Sequence, residues 1–348
     1  MRAAVVILNY NGKHWLEQFL PLLLAHTPNG EKDIAFVVAD NGSTDGSLDW
    51  LQAHYPQVLC LDLQRNWGFA EGYNRALARI KATYYVLLNS DVAVTENWLV
   101  PLLDQMDKHP RVAACQPKIR SHREPHLFEY AGAAGGWIDR WGFPFCRGRV
   151  FDTLETDAGQ YDDPTEIFWA SGACLVVRAK LWHQYGGLDP DFFAHMEEID
   201  WCWRLQNAGY QIFCFPESTV YHVGGGTLQA GSPFKTYLNF RNNLLMLCKN
   251  LPRRGLLGRL FVRMSLDGVA GLRFLLQGQW SHFWAVLRSH FYLYAHWRAI
   301  RDKRKAIQEL APAKPLSSLR GLYHKSVVWA YFIQKKKTFT TLLPPRVR

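Results

Sequence analysis

The stretch Tyr84-Tyr85-Val86-Leu87-Leu88-Asn89-Ser90-Asp91 decides the fold of this chain. Its first five residues are apolar without interruption, which is typical of a strand buried on both faces of a sheet. The run stops on Asn, Ser and Asp, whose short side chains turn the backbone and offer oxygen ligands. Ligands of open α/β sheets bind beyond the carboxyl ends of the strands, so Asp91 is expected at a functional site. For an isolated triplet, the favoured interpretation is that Ser90 or Asp91 caps a helix starting near Glu96.

Three similar apolar runs precede this stretch, and each leads into polar residues and a segment with helical spacing. The runs are residues 3–8, 34–39 and 58–63, and the polar residues that follow them are Asn9, Asp40, and Arg65 with Asn66. Four strands alternating with three helices predict a parallel, helix-covered sheet with right-handed crossovers. The polar residues should therefore converge at one edge, where a nucleotide is the natural ligand. Neither G-x-G-x-x-G nor a P-loop is present, so the phosphates require a metal ion or Arg and Lys.

The middle of the chain extends this pattern and adds an acidic helix. We expect a helix over 98–106, a strand over 112–119, and a long, partly hairpin-like insertion over 120–166 that is rich in Gly, Pro and aromatic residues. Glu197-Glu198-Ile199-Asp200 opens a helix predicted to end near Ala208, with Gly209 as its stop. Strands around 211–215 and up to His222 follow.

Composition divides the chain into an acidic body and a basic tail. Residues 1–248 hold 20 Lys and Arg against 27 Asp and Glu, whereas residues 249–348 hold 20 against 3. The tail is therefore expected to meet an anionic surface, either a membrane or a nucleic acid. The seven cysteines form no Cys-x-x-Cys pair, which favours free thiols in a reducing compartment. With no signal-peptide core at the N-terminus, this predicts a cytoplasmic protein.

Taken together and in order, the motifs resemble those of the family 2 glycosyltransferases of the GT-A fold, close to bacterial rhamnosyltransferase-like members. The matching segments are residues 6–12 (VILNYNG), 38–47 (VADNGSTDGS), 66–74 (NWGFAEGYN), 88–91 (LNSD), 197–200 (EEID), 221–222 (YH) and 237–243 (YLNFRNN). The resemblance covers roughly residues 3–245. It implies a GT-A catalytic domain over 1–248, a mostly parallel central sheet flanked by helices, and a C-terminal helical extension over 249–348.

The resemblance also implies roles for single residues in binding a nucleotide-sugar donor. Asp40 is similar to the aspartate that contacts the pyrimidine, of uridine or deoxythymidine. Asn89-Ser90-Asp91 stands in the place of the D-x-D motif, so Asp91 is the expected ligand of Mn²⁺ or Mg²⁺, and His222 is expected to complete the coordination. Asn66, Gly68 and Asn74 are similar to the loop and helix start that help hold the nucleotide. The other donor-site residues expected are Asn9, Asn89 and Ser90.

For catalysis, the resemblance implies an inverting displacement with one carboxylate as the base. A divalent cation neutralises the departing nucleoside diphosphate, and a carboxylate takes the proton of the acceptor hydroxyl. Glu198 stands where the family often has its catalytic Asp, and Asp200 is a second candidate. The alternative for Asp200 is an ion pair with Arg204 at i,i+4.

The predicted function is metal-dependent transfer of one sugar to a cell-surface glycan or its lipid-linked precursor. One rival is a sugar-phosphate nucleotidyltransferase, whose Gly-rich basic signature after the first strand is missing; another is a catalytically silent glycan-binding or membrane scaffold protein. In the tail, residues 250–305 mix apolar and basic residues. They predict interfacial amphipathic helices on the inner face of the cytoplasmic membrane, or helices packed on the body. Nucleic-acid binding is disfavoured because no known module is present.

Overall fold

A computed structural model describes residues 1–27, 33–224 and 231–344. Its strands are β1 (Ala3–Asn9), β2 (Ile34–Asp40), β3 (Leu59–Asp62), β4 (Tyr84–Leu88), β5 (Val92–Val94), β6 (Val112–Ser121), β7 (Gly136–Asp139), β8 (Pro144–Cys146), β9 (Arg149–Val150), β10 (Thr153–Leu154), β11 (Thr165–Glu166), β12 (Cys174–Arg178), β13 (Gln211–His222) and β14 (Leu322–Tyr323). Its α-helices are α1 (Lys13–His26), α2 (Ser47–His54), α3 (Gly68–Leu77), α4 (Leu99–Lys108), α5 (Ala179–Gln184), α6 (Glu197–Asn207), α7 (Pro233–Asn250), α8 (Leu256–Leu276), α9 (Trp280–Ala295), α10 (Trp297–Leu310) and α11 (Phe339–Leu342).

The main sheet has nine strands in the order β11-β13-β6-β12-β4-β1-β2-β3, with β5 beside β13. The predicted alternation of four strands and three helices is confirmed, because β3, β2, β1 and β4 pair in parallel. The sheet as a whole is mixed, since β12 runs antiparallel to both β4 and β6. The strand β4 is buried along its whole length. Its alternate side chains enter the hydrophobic cores on opposite faces of the sheet.

The segment after Asp91 differs from the expectation of a helix starting near Glu96. Residues Val92–Val94 form the short strand β5, and α4 begins only at Leu99. The strand β5 pairs antiparallel with the end of β13, in a register that sets His222 opposite Val92. Neither Ser90 nor Asp91 therefore caps α4, whose start has no side-chain cap. The same pairing brings the end of β13 beside Asp91.

The insertion after β6 folds into a second, five-stranded sheet in the order β10-β9-β8-β7-β14. Its strands are two to four residues long, too short for a clear sequence period. The last strand, β14, comes from the C-terminal region and pairs in parallel with β7. Phe339 of α11 also packs against Trp137, Phe145 and Tyr161, so the tail is built into the insertion.

The basic tail packs on the rest of the chain through helix α7, which runs through residue 248 and on to Asn250. The helices α8, α9 and α10 contact α7. Several tail cations are buried rather than solvated, among them Lys249 and Arg263. Among the described residues, no helix is both long and apolar enough to cross a bilayer. The expected free thiols are confirmed, since none of the seven cysteines is bonded to another and six are buried.

Candidate active site

Asp91 and His222 meet at the carboxyl edge of the sheet. The imidazole Nε2 of His222 lies 3.1 Å from Oδ1 of Asp91 and 3.3 Å from Nδ2 of Asn89. On the other side of the ring, Nδ1 lies 3.3 Å from Oε1 of Glu129, a buried residue of the insertion. A carboxylate behind the second ring nitrogen is the usual support of a histidine that ligates a metal.

The electrostatics of this cluster favour its charged forms in the absence of a cation. Burial acts to lower the pKa of His222, but the carboxylates Asp91 and Glu129 outweigh it and raise the pKa to about 10. Burial acts in the opposite sense on Asp91, and contact with His222 still brings the pKa of that carboxyl below its usual range. His222 thus carries a positive charge between the carboxylates of Asp91 and Glu129.

The residues present fit a divalent cation. Two ligand atoms on neighbouring positions of an octahedral ion lie about 3 Å apart when each bond is about 2.1 Å long. The separation of Oδ1 of Asp91 and Nε2 of His222 matches this spacing. No cluster of three His, Cys, Asp or Glu side chains suited to a metal occurs among the described residues. Asp91 and His222 would therefore leave the other positions of the coordination shell to ligands from outside these two side chains.

Asn9 and Asp40 lie together at the ends of β1 and β2. Asn9 donates through Nδ2 to Oδ2 of Asp40 at 3.1 Å, while Oδ1 of Asp40 accepts from the backbone N–H groups of Gly42 and Ser43. Both residues are fully buried. Asp40 thus forms the Asx turn that Gly42 allows, and its predicted contact with a pyrimidine stays a prediction.

Gly12 lets the first loop approach the strand end that carries Ser90. A Cβ at Gly12 would lie 2.6 Å from Oδ1 of Asn9 and 3.4 Å from Oγ of Ser90. The side chains of Asn9 and Ser90 therefore flank the same glycine, as expected from parallel strands that end at one edge. Among the described residues, the buried Oδ1 of Asn9 has no hydrogen-bond partner.

Asn66 and Gly68 shape the loop that begins α3. The Oδ1 atom of Asn66 accepts from the N–H of Gly68 at 2.8 Å. Gly68 has a φ of +75°, and a Cβ there would lie 2.6 Å from the ring of Phe193. Asn41 joins this loop to the previous one by donating to Oδ1 of Asn66 and to the carbonyl of Gly68. The glycine is required by both its backbone angle and its neighbour.

Asn74, which was expected to bind the donor, is bonded instead to the backbone of Leu188. Its Nδ2 donates to the carbonyl of Leu188 at 2.7 Å, and its Oδ1 accepts from the N–H of Leu188 at 3.0 Å. Because both ends of the amide are used, Asn74 positions the segment that leads to α6. These contacts do not support the expected donor-binding role of Asn74.

The segment before α6 is held in an unusual backbone conformation. Phe193, His195 and Met196 all have positive φ, at 63°, 70° and 73°. Asn242 of α7 donates through Nδ2 to the carbonyls of Phe192, Ala194 and His195 at 2.9, 2.8 and 2.7 Å. Strained backbone of this kind persists only where surrounding contacts fix it, and it clusters at functional sites.

Glu198 lies in the first turn of α6, directly after this segment. The N–H of Phe69 at the start of α3 donates to the carbonyl of Phe193 at 2.8 Å, so the segment sits against the loop that begins α3. Burial raises the pKa of the Glu198 carboxyl. Its Oε2 is buried and has no hydrogen-bond partner among the described residues. A carboxylate with a raised pKa and a free oxygen is suited to accept a proton near neutral pH.

Asp200 is placed elsewhere, in a buried ion-pair network. Its Oδ2 lies 3.1 Å from Nε of Arg204 and 2.9 Å from Nζ of Lys249, and its Oδ1 accepts from Asn250 at 2.7 Å. The alternative of an i,i+4 pair with Arg204 is therefore confirmed. A fully buried carboxylate engaged on both oxygens does not suit an acceptor, and we drop Asp200 as a catalytic candidate.

Comparison with known proteins decides the family. The model of the family described as "Glycosyl transferase family 2" matches residues 4–180, more than half of the chain. The chain belongs to glycosyl transferase family 2. The family 2 glycosyltransferase is 30% identical over 236 residues to the N-acetylglucosaminyl-diphospho-decaprenol L-rhamnosyltransferase of Mycobacterium tuberculosis, covering 63% of this chain and 75% of the relative. It is 21% identical to a low-salt glycan biosynthesis hexosyltransferase of Haloferax volcanii, covering 60% of this chain and 66% of that protein.

Solved structures show that this glycosyltransferase has the GT-A fold. S. aureus TarS in complex with UDP-GlcNAc superposes with a TM-score of 0.55 at 14% identity, covering 89% of this chain and 91% of that one. GalNAc-T7 with UDP, GalNAc and Mn²⁺ gives a TM-score of 0.55 at 16% identity, covering 73% of this chain and about half, 48%, of the other. At these identities the likeness concerns the fold.

Sequence reasoning about this glycosyltransferase missed two sets of residues. Glu129 lies in the aperiodic insertion, where nothing in the spacing marked it. Arg241 and Asn242 were part of a matching motif, but the motif gave no role. In the structure, Arg241 donates to the carbonyls of Asp191 and Phe192 at 2.7 and 3.0 Å, beside the bonds made by Asn242. The Arg-Asn pair within residues 237–243 was the sequence signal that could have pointed to these two residues.

Proposed function

We propose that this protein is a metal-dependent, inverting glycosyltransferase that moves one sugar from a nucleoside diphosphate sugar to a hydroxyl of a cell-surface glycan or of its lipid-linked precursor. The observation that carries the proposal is the convergence of Asp91 and His222 at 3.1 Å, with Glu129 behind the ring. Family membership supplies the reaction class. The metal, the stereochemistry and the acceptor are the proposed parts.

On the donor side, Asp91 and His222 would hold Mn²⁺ or Mg²⁺ together with diphosphate oxygens, and Asn89 lies beside them. When bound, the cation neutralises the charge that develops on the departing nucleoside diphosphate. Mn²⁺ tolerates an imidazole ligand more readily than Mg²⁺ does. Two of the neighbours in fold, GalNAc-T7 and the mannosyltransferase PcManGT of Pyrobaculum calidifontis, are described with Mn²⁺.

The nucleoside would lie over the loops that follow β1, β2 and β3. Asn9, Asp40, Asn66, Gly68 and Ser90 form this edge through the bonds described above. Asp40 is the proposed contact of the pyrimidine, in uridine or deoxythymidine. The oxygens of Asp40 already accept hydrogen bonds from Asn9 and from two backbone N–H groups. The loop that would contact the nucleotide is therefore ordered before the nucleotide binds.

On the acceptor side, Glu198 is the proposed base. It takes the proton of the acceptor hydroxyl while the bond from that oxygen to the anomeric carbon forms and the bond from that carbon to the diphosphate oxygen breaks. The displacement inverts the anomeric configuration and leaves no sugar attached to the enzyme. The raised pKa of Glu198 and its unpartnered oxygen support this role.

The acceptor class is proposed from the mycobacterial relative, whose name identifies a lipid-linked sugar diphosphate as its acceptor. A hexose or deoxyhexose donor is proposed on the same ground. An enzyme with such an acceptor would work at the inner face of the cytoplasmic membrane as a peripheral protein. The acidic edge around Asp91 gives no support to a nucleic-acid partner, because phosphate backbones bind cationic surfaces.

The test is a panel of nucleotide sugars scored by release of nucleoside diphosphate, with Mn²⁺, with Mg²⁺ and with a chelator. We expect one donor class to be turned over only with the cation present. Asp91→Ala should abolish the cation-dependent binding of that donor while its metal-free background remains. Equal donor affinity in the variant and the parent would remove Asp91 as a ligand, and full turnover with chelator would refute metal dependence.

A further inference from the structure

Helix α8 buries charged side chains and exposes apolar ones, the reverse of the usual arrangement on a surface helix. Its inward face carries Arg263 and Asp267, which are almost fully buried and form an ion pair at 2.8 Å. Its outward face is a stripe of apolar residues at helical spacing along the whole helix. The exposed members are Leu257, Phe261, Val269, Leu272 and Leu276, with Phe261 74% and Leu276 81% exposed.

Helix α9 packs beside α8 and continues the same surface. Its exposed large side chains are Trp280, Trp284, Phe291 and Tyr294. We call these nine residues of α8 and α9 the outer face. Exposed apolar patches of this extent mark interaction sites, because isolated apolar residues are normal on a surface and a continuous ridge is not.

The charge around the outer face is predominantly positive, although Asp302 is an exposed acid next to Arg301. Residues 253–301 contain eight arginines, and the acid among them is Asp267, which is buried against Arg263. Exposed arginines border the outer face at both ends and along its flank; they are Arg253, Arg254, Arg273, Arg288, Arg298 and Arg301. Any partner must therefore accept apolar side chains at its centre and offer negative charge at the rim.

We propose that the outer face docks on the interface of an anionic lipid bilayer. Leu and Phe side chains of α8 would enter the boundary between headgroups and acyl chains, the Trp and Tyr side chains of α9 would lie at headgroup level, and the arginines would meet lipid phosphates. A second copy of the chain fits less well, because a symmetric contact would bring two rims of six arginines each together, and the exposed Asp302 next to Arg301 offsets only part of that charge.

One helix, α7, separates the outer face from the segment before α6. Helix α9 holds α7 through a bond between His282 and Thr236 at 2.8 Å and through Tyr292, over which Arg241 lies at 5.1 Å. The same Arg241 binds the carbonyls of Asp191 and Phe192 ahead of Glu198. This inference rests on the proposed function and extends it. Docking would keep the active site beside lipid-linked acceptors in the membrane.

The experiment is flotation of the full chain with vesicles, measured without any sugar donor. One set of vesicles is pure phosphatidylcholine, and the other is equal parts of phosphatidylcholine and phosphatidylglycerol. We expect binding to the anionic set that salt weakens, and little to the neutral set. The double variant Phe261→Ser, Trp284→Ser should lower the partition coefficient roughly a hundredfold, about tenfold for each ring withdrawn from lipid. Leu59→Ser, at an exposed residue of the edge strand β3, is the matched control and should bind as the parent does.

Three results would overturn the proposal. In the first, the parent chain binds neither set of vesicles. In the second, the double variant binds the anionic vesicles as well as the parent does. In the third, the parent forms a dimer that the double substitution disrupts, and neither protein binds vesicles. Because both side chains are more than half exposed, the double variant should keep the parent's unfolding temperature. Vesicle binding with no transferase activity would instead contradict the proposed function alone.

Discussion

The Nδ1 atom of His222 lies 3.3 Å from Oε1 of Glu129, on the side of the ring opposite Asp91. The contact joins the end of β13 to the insertion, so a residue outside the main sheet supports the proposed metal ligand. Glu129→Gln keeps the shape of the side chain but removes its charge. We expect the affinity for Mn²⁺ in the presence of a nucleoside diphosphate to fall roughly 10- to 100-fold. Isothermal titration measures it, with Glu124→Gln, an exposed residue of the same insertion, as the control. Unchanged affinity would mean that His222 needs no such support.

Replacing Glu198 separates binding from transfer. In Glu198→Gln the group that would accept the proton is lost while the side-chain volume is kept, so kcat should fall roughly 10²- to 10⁴-fold with the donor Kd unchanged. Single-turnover kinetics with the preferred donor give both quantities. Glu197→Gln, one position earlier in the same helix, is the matched control and should retain most of the activity. Near-normal turnover in Glu198→Gln would move the base to another residue.

Removing the side chain of Asn242 should loosen the segment before α6. Asn242→Ala removes the two N–H groups that the carbonyls of Phe192, Ala194 and His195 share, at a cost of about 1 kcal/mol for each N–H lost. We expect kcat to fall more than the donor affinity, together with a lower Tm. Asn243→Ala is the neighbouring control: its amide donates to Gly142 in the insertion at 2.6 Å, so it should lower Tm without the selective loss of kcat. Equal kinetic effects in the two variants would contradict the positioning role.

Acid stability should depend on the ion pairs of Asp189. Burial acts to raise the pKa of Asp189, but Lys249 and Lys303 outweigh it and hold the pKa well below its usual range. A depressed carboxyl pKa contributes stability above the unfolded-state value of about 3.9 and loses that contribution as the pH falls toward the folded value. Lys303→Met should therefore cost about 2 kcal/mol of unfolding free energy at neutral pH, a difference that shrinks below about pH 4.

Urea unfolding at several pH values measures that difference for Lys303→Met. Lys305→Met, at an exposed residue of the same helix, is the control. A stability difference that stays constant from neutral to strongly acidic pH would show that Lys303 acts through packing rather than through its charge.

The sequence predicts the parallel half of the sheet well because β1, β2 and β4 are largely apolar strands of five to seven residues that end in, or lead into, polar residues. The run from Tyr84 to Leu88 is fully buried, and the polar residues after it do lie at the edge of the sheet. The strand β5 was missed since three residues carry no period. Its pairing with β13 is nevertheless what brings His222 beside Asp91.

Contacts between distant segments set the limits of the prediction. Glu129 lies in an insertion of very short strands, where no pattern distinguishes a buried carboxylate from a solvated one. Lys249 contributes to the basic charge of the tail, yet its Nζ binds Asp189 and Asp200 in the interior. Composition counts a charge wherever it lies, and only the fold shows whether it has a partner.

The pairing of β14 with β7 has a consequence for the order of events during synthesis. Leu322 and Tyr323 complete a sheet that begins at Gly136, so most of the polypeptide must leave the ribosome before that sheet can close. The parallel half can form early from the first ninety or so residues, as N-terminal units generally do during translation. The insertion that carries Glu129 gains its last strand much later. A nascent chain should thus acquire the proposed nucleotide-binding edge well before the support behind His222 is complete.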